Sequence, residues 1–300
     1  MIKSLDELVN AVAQKGKRRI IIAYAQDSHS IQAADMAIRH GIADITLVGD
    51  EEQIAKTCRD EGIDMGQFTV VHEASDMKCV EKAIKMIHAG EADILMKGLV
   101  SSDKYMRGIL NKEWGLLPPK ATLSHVAVFE IPAYHKLLTV GDVAVIPAPD
   151  LNQKIAITKY IISTAKRLGV EIPKVACIAP SEQMLPKIES CVDSAIITCM
   201  GKRGQLGTKV DIEGPLSLDI AIDAHAAETK KLESPVAGDA DCLLFPNIET
   251  GNVFYKTCTK FAGAELGAMV AGTKVPCVLC SRGDSTKTKL YSMALACLSV

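Results

Sequence analysis

Arg19-Ile20-Ile21-Ile22-Ala23-Tyr24-Ala25 leads into a helix-length stretch over residues 29–41 that stops at Gly41, and then into a second short run over residues 44–48. A β-branched run of this kind, apolar on both alternations, is the pattern of a strand covered on both faces. The pattern then repeats. Residues 68–71 and 93–96 are further short apolar runs, and residues 50–62 and 77–89 between them have helical length. Val80, Ala83, Ile84 and Ile87 fall at i, i+3, i+4 and i+7, which turns one stripe of that helix toward a sheet. Strand then helix at this spacing predicts a doubly wound parallel α/β fold.

The rest of the chain continues the alternation after a different middle. Residues 123–130 and 137–146 are strand-like runs flanking Pro132 and His135, as in a hairpin or an arm. Ile157, Tyr160, Ile161, Thr164, Ala165 and Leu168 mark an amphipathic helix, followed by strands over 174–178 and 241–245. A long helix is expected over 252–271, a strand over 275–280 and a last helix over 287–298. Pro132 and Gly272 are the expected crossings between two halves.

The 300 residues are 48% hydrophobic and 23% charged, enough for about two domains with a sizeable core. With 34 basic and 36 acidic residues there is no broad positive field, so neither a nucleic acid nor a membrane is expected as partner. The first residues, Met1-Ile2-Lys3-Ser4-Leu5-Asp6-Glu7, carry charge where a secretory leader is apolar, and no run approaches about 20 apolar residues. A cytoplasmic protein is expected, and its ten cysteines read as thiols. Cys277 and Cys280 form C-x-x-C in a buried strand, where their side chains diverge. The seven histidines show no metal-ligand spacing, and no metal is expected.

In open α/β sheets ligands gather beyond the carboxyl ends of strands. Lys97-Gly98-Leu99-Val100-Ser101-Ser102 follows one such strand: Gly98 would let backbone approach a ligand, Ser101 or Ser102 would cap the next helix, and Lys97 and Arg107 are cations for a phosphate. The same residues also suit a capped helix with two solvated bases. Pro246-Asn247-Ile248-Glu249-Thr250-Gly251-Asn252 ends another strand, and Asn252 and Lys256 share a helix face that is either ligand-directed or merely exposed. Ser281-Arg282-Gly283-Asp284-Ser285 ends the last strand. A hydroxyl beside an arginine fork at a helix N-terminus suits a phosphate or oxyanion, with Asp284 or Ser285 as cap. No histidine is near enough in sequence to activate Ser281, which favours hydrogen bonding over nucleophilic attack. Gly201-Lys202-Arg203-Gly204-Gln205-Leu206-Gly207 fits no nucleotide fingerprint and is expected as a mobile loop, and His125 as a structural histidine.

Six blocks carry a wider resemblance: 97–101, Asn111-Lys112-Glu113-Trp114-Gly115, 123–130, Glu213-Gly214-Pro215-Leu216, 246–256 and Ser281-Arg282. Together and in this order they resemble the phosphate acetyl/butyryltransferase family, closest to its butyryl branch. The resemblance implies two doubly wound α/β domains of the isocitrate/isopropylmalate dehydrogenase-like kind with a cleft between them, residues 1–132 plus 273–300 forming one and 133–272 the other. It implies a homodimer and reversible conversion of acyl-CoA and phosphate to acyl phosphate and CoA. Butyryl-CoA is the expected substrate, acetyl-CoA the alternative and an NAD-dependent decarboxylating dehydrogenase the remote one. No cofactor is implied, CoA being a substrate. Ser281 and Arg282 are implied as catalytic, and Lys97, Ser101, Arg107, Asn252 and Lys256 as substrate-binding. The acetyl branch carries an aspartate seven residues after the serine, as base for the CoA thiol, where this chain has Thr288. Asp284 is the nearest carboxylate, either base or cap. A thiol pKa of roughly 8.5 would lighten the need for a strong base.

Overall fold

The computed structural model describes residues 1–281 and 283–300, so Arg282 lies outside the described residues. The chain divides into two compact units, a terminal one of Leu5–Leu123 with Leu266–Val300 and a central one of Met1–Ser4 with Ser124–Glu265. The crossings between these units fall at 123/124 and 265/266.

The terminal unit begins α1 (Leu5–Ala13), β1 (Arg18–Ala23), α2 (Ser28–Arg39), β2 (Ala43–Gly49), α3 (Glu51–Asp60), β3 (Thr69–His72), α4 (Asp76–His88), β4 (Ile94–Lys97) and α5 (Ser102–Ile109). In β1 the residues Ile20, Ile21, Ile22 and Ala23 are all buried, as a strand covered on both faces requires. Each buried isoleucine contributes about 1.5–3 kcal/mol against the exposed state. Aspartates cap α2 and α3, Asp27 accepting from the Ser30 amide and Asp50 from that of Gln53.

The central unit follows with β5 (Ser124–Glu130), β6 (Leu138–Gly141), α6 (Leu151–Arg167), β7 (Lys174–Ile178), α7 (Glu189–Lys202), β8 (Asp211–Leu216), α8 (Leu218–Ile222), α9 (Ala224–Thr229), β9 (Cys242–Leu244) and α10 (Ile248–Phe261). Its strand order is β5-β6-β9-β7-β8, with β5 antiparallel to β6 and the remaining pairs parallel. The hairpin read around Pro132 is therefore present. Phe129 of β5 meets Phe254 and Tyr255 of α10 edge-on, at centroid distances of 5.8 and 5.6 Å, which fixes that helix on the sheet. The chain returns to the terminal unit through β10 (Glu265–Ala271), β11 (Cys277–Val278) and α11 (Thr286–Leu298). The order there is β3-β2-β1-β4-β11-β10, parallel except for β10 against β11.

Several sequence readings are corrected. The helix expected over 252–271 ends at Phe261, and a buried strand, β10, takes up its second half. Continuous apolar character in 266–270 suits either element, and only pairing with β11 decides. The run 137–146 is a strand only to Gly141, because the Asp142 carboxylate collects the next amides into a turn. Gly201 and Lys202 form the end of α7 rather than a loop, Gly201 being buried against Ile212. Cys277 and Cys280 are both buried thiols, and the described residues contain no His/Cys/Asp/Glu cluster suited to a metal. No helix among the described residues is long and apolar enough to cross a membrane.

Candidate active site

Neighbouring parallel strands β1, β4 and β11 bring three loops to one end of the terminal sheet. Ala23 pairs with Lys97, and Val278 with Met96, so Tyr24, Lys97 and the Cys280-Ser281 segment leave the sheet side by side. Lys97 is not solvated: it is 1% exposed and its ammonium donates to the carbonyls of Gly98 and Val100 at 3.1 and 3.0 Å. Gly98 serves protein backbone rather than a ligand, since a Cβ there would strike the Tyr24 carbonyl. Ser101 caps α5, its Oγ accepting from the Lys104 amide at 3.3 Å. Arg107, in the last turn of α5, is exposed and pairs with Asp103 at 2.8 Å.

At the β11 end, the Asp284 carboxylate accepts from the Ser281 amide at 2.7 Å, and the Ser281 Oγ accepts from the Gly283 amide at 3.4 Å. Asp284 thus closes the turn that presents Ser281. The cap of α11 is Ser285, whose Oγ accepts from the Thr288 amide at 3.1 Å, so Asp284 is not the cap. Lys289, in the first turn of α11, is 2% exposed. Burial pushes the Cys280 thiol up, opposed by the charges of Lys289 and Lys97 and by a hydrogen bond with Ser292, and aided by Asp284. Two ammonium groups and one carboxylate therefore act at the same strand end.

In the central unit the organising group is Asp142, 2% exposed. Its carboxylate accepts from the Ser124 hydroxyl at 3.0 Å and from the amides of His125, Ala144, Val145 and Ile146 at 2.7–3.3 Å. These bonds hold the 142–146 turn against the N-terminus of α10. A Cβ at Gly251 would strike the Asp142 carbonyl, so glycine is required for that approach. Asn247 caps α10, and the Asn252 amide donates to the Val143 carbonyl at 3.2 Å. Lys256 lies one turn on, exposed, its ammonium 4.4 Å from the Tyr255 ring centroid. Asn252 and Lys256 do share a helix face. Glu213 and Gly214 lie inside β8, where Gly214 packs against Cys177. His125 is buried, 3% exposed.

Each unit is a helix-covered α/β sheet with cationic and amide-donating residues beyond its strand ends, the arrangement of a protein that handles anionic substrates. The family described as Phosphate acetyl/butaryl transferase matches residues 4–85 and 74–297. The phosphate butyryltransferase of Clostridium acetobutylicum is 43% identical over 298 residues, 99% of this chain and 98% of the relative. The phosphate acetyltransferase of Thermotoga maritima is 34% identical, over 97% of this chain and 98% of the relative. A solved branched-chain phosphotransacylase from Enterococcus faecalis V583 superposes with a TM-score of 0.83 at 30% identity, covering 94% of this chain and 99% of that one. The chain belongs to the phosphate acetyl/butyryltransferase family and is an acyltransferase.

Proposed function

We propose that the chain converts butyryl-CoA and phosphate reversibly to butyryl phosphate and CoA. The observation that carries the acyl preference is the 43% identity, over almost the whole of both chains, to a phosphate butyryltransferase. In the phosphorolytic direction a phosphate oxygen attacks the thioester carbonyl carbon, a C–O bond forms, the C–S bond breaks, and the CoA sulfur leaves and takes up a proton. The reaction needs a fixed phosphate, donors for the developing oxyanion and a proton source for the departing thiolate. Ser281, held at the β11 end by Asp284, is the donor in this reading, and Arg282, the next residue in the sequence, is the second. Asp284 exchanges the proton with the thiol. Lys97, Ser101, Arg107, Asn252 and Lys256 bind the substrates' anionic groups. No cofactor and no metal takes part, and the working form is a cytoplasmic homodimer.

The 34% identity to a phosphate acetyltransferase supports acetyl-CoA as the second reading. CoA release from acetyl-, butyryl- and isobutyryl-CoA, with and without phosphate, decides between them. Each methylene is worth about 1–3 kcal/mol of discrimination, so kcat/KM should be highest for butyryl-CoA by a factor of at least 10 over acetyl-CoA. A higher value for acetyl-CoA overturns the butyryl assignment. Release independent of phosphate, or lost on adding EDTA, overturns the reaction as written. Arg282→Ala should lower kcat by about 100-fold if it is an oxyanion donor.

A further inference from the structure

Gly141, the last residue of β6, pairs with Leu244 of β9, so the chains that leave these two parallel strands run side by side. Asp142 shapes the first of them from within. Its Oδ1 accepts from the amides of Ala144 and Val145 at 2.7 and 2.9 Å, and its Oδ2 accepts from the Ser124 hydroxyl and the amides of His125 and Ile146 at 3.0, 3.3 and 3.2 Å. All five donors are neutral dipoles, and three are successive amides of one turn, so this buried carboxylate fixes the course of the backbone.

That turn grips the chain leaving β9. The Phe245 amide donates to the Gly141 carbonyl at 2.9 Å and the Ile248 amide to the Pro147 carbonyl at 3.0 Å. Gly251 lies against the Asp142 carbonyl, and the Asn252 side-chain nitrogen donates to the Val143 carbonyl at 3.2 Å. A carbonyl only accepts, so this contact fixes which end of the Asn252 carboxamide faces the turn and leaves its Oδ1 and one N–H for a ligand. The direction of an exposed side chain on α10 is thus set by a carboxylate that is 2% exposed.

We propose that Asp142 is a positioning residue for acyl-CoA, fixing the Val143 carbonyl that orients the Asn252 carboxamide toward the substrate. The proposal rests on the reading of Asn252 as substrate-binding and adds the buried group that aims it. Asp142 itself is closed off from a ligand, so its effect on the reaction travels through Asn252. A group displaced by about 1 Å can cost on the order of 100-fold in rate, and a turn that keeps part of its bonds should cost less.

The test is a double-variant cycle in the full chain, with Asp142→Asn, Asn252→Ala and the two combined, read by steady-state CoA release from butyryl-CoA and phosphate. Asparagine keeps the shape of Asp142 but turns an NH2 group on some of the five donors, which loosens the turn. Each single variant should lower kcat/KM for butyryl-CoA about 10-fold and leave the KM for phosphate within about two-fold. The double variant should fall no more than about two-fold below Asn252→Ala, because the carboxylate has nothing left to aim. Losses that multiply in the double variant overturn the proposal, as does an unchanged kcat/KM in Asp142→Asn. Should Asp142→Asn fail to fold, Ser124→Ala removes one donor and should lower kcat/KM about two- to five-fold, an effect absent when residue 252 is already alanine. A lower Tm in Ser124→Ala with kcat/KM unchanged overturns the proposal. Full activity in Asn252→Ala removes the substrate role of Asn252 and the proposal with it, whereas a defect there that Asp142→Asn does not share removes the proposal alone.

Discussion

Lys154 and Lys289 occupy the same place in two different helices. Each is the fourth residue after its cap, with its amide donating to the carbonyl of that cap, Asp150 at 2.8 Å for one and Ser285 at 3.1 Å for the other. Each is nearly inaccessible, at 4% and 2% exposure. Their charges meet different fates. The Lys154 ammonium lies 2.6 Å from the Asp193 carboxylate on α7, whereas no carboxylate reaches Lys289 among the described residues. Position and burial alone thus do not decide whether a helix lysine is paired; what the facing helix supplies does. Where the fold supplies a counter-charge, as at Lys154, the lysine joins two helices.

The comparison breaks first at Lys154, where the expected effect is largest. Lys154→Met strands Asp193, itself 8% exposed, and should cost about 3–5 kcal/mol in urea denaturation. Lys289→Met, which breaks no ion pair among the described residues, should cost less in the same measurement, about 1–2 kcal/mol. Equal losses in the two variants would show that both lysines are structural. Combining Lys154→Met with Asp193→Leu should recover most of the loss, since removing both charges leaves neither unpaired.

A half-exposed carboxylate offers an intermediate case. Asp239 takes Lys136 and Lys174 at 2.8 and 2.5 Å and His135 at 2.8 Å. Burial acts to push its carboxyl up, but the hydrogen bonds from Lys136, Lys174 and His135 outweigh it and hold the group well below the usual carboxylate range. A carboxyl pKa lower in the folded than in the unfolded chain contributes stability that is full above the unfolded value and is lost as pH falls from there through the folded value. Stability should therefore decline below about pH 4, and Asp239→Asn should flatten that decline. The side chain is 39% exposed, so after screening the loss at neutral pH should be on the order of 1 kcal/mol. An unchanged acid limb in the variant would place the titrating group elsewhere.

The legible part of this molecule was its periodicity. The β-α repeats of the terminal unit stand where the apolar runs and the glycine stops put them, because a strand covered on both faces and an amphipathic helix leave unambiguous patterns. The stretch 262–271 was misread because an all-apolar segment has no period, and only the neighbour, β11, decides between strand and helix. The strand-end location of Lys97, Ser101 and Ser281 followed from sequence, but the partners of these side chains did not. That Lys97 is buried on two carbonyls, or that Asp284 turns to the Ser281 amide while Ser285 caps the helix, depends on contacts between chain segments or on a choice among adjacent residues. Asp142 went unread for the same reason: its carboxylate is satisfied by groups from two strands' ends, and nothing in a Gly-Asp step announces five donors.

The smallest expected effect on stability belongs to Arg107, and that is what makes it useful. Its pair with Asp103 is four residues apart on α5, with side chains 71% and 67% exposed, so each ion is solvated whether or not the other is present. Arg107→Gln should change stability by no more than about 0.5 kcal/mol. A solvated arginine that binds nothing would also leave kinetics untouched. If Arg107 receives the anionic groups of CoA, the variant should raise the KM for acyl-CoA several-fold while leaving the KM for phosphate alone. The effect should shrink at high salt, where an exposed charge is screened. An unchanged KM for acyl-CoA in Arg107→Gln would show an arginine that serves α5 alone.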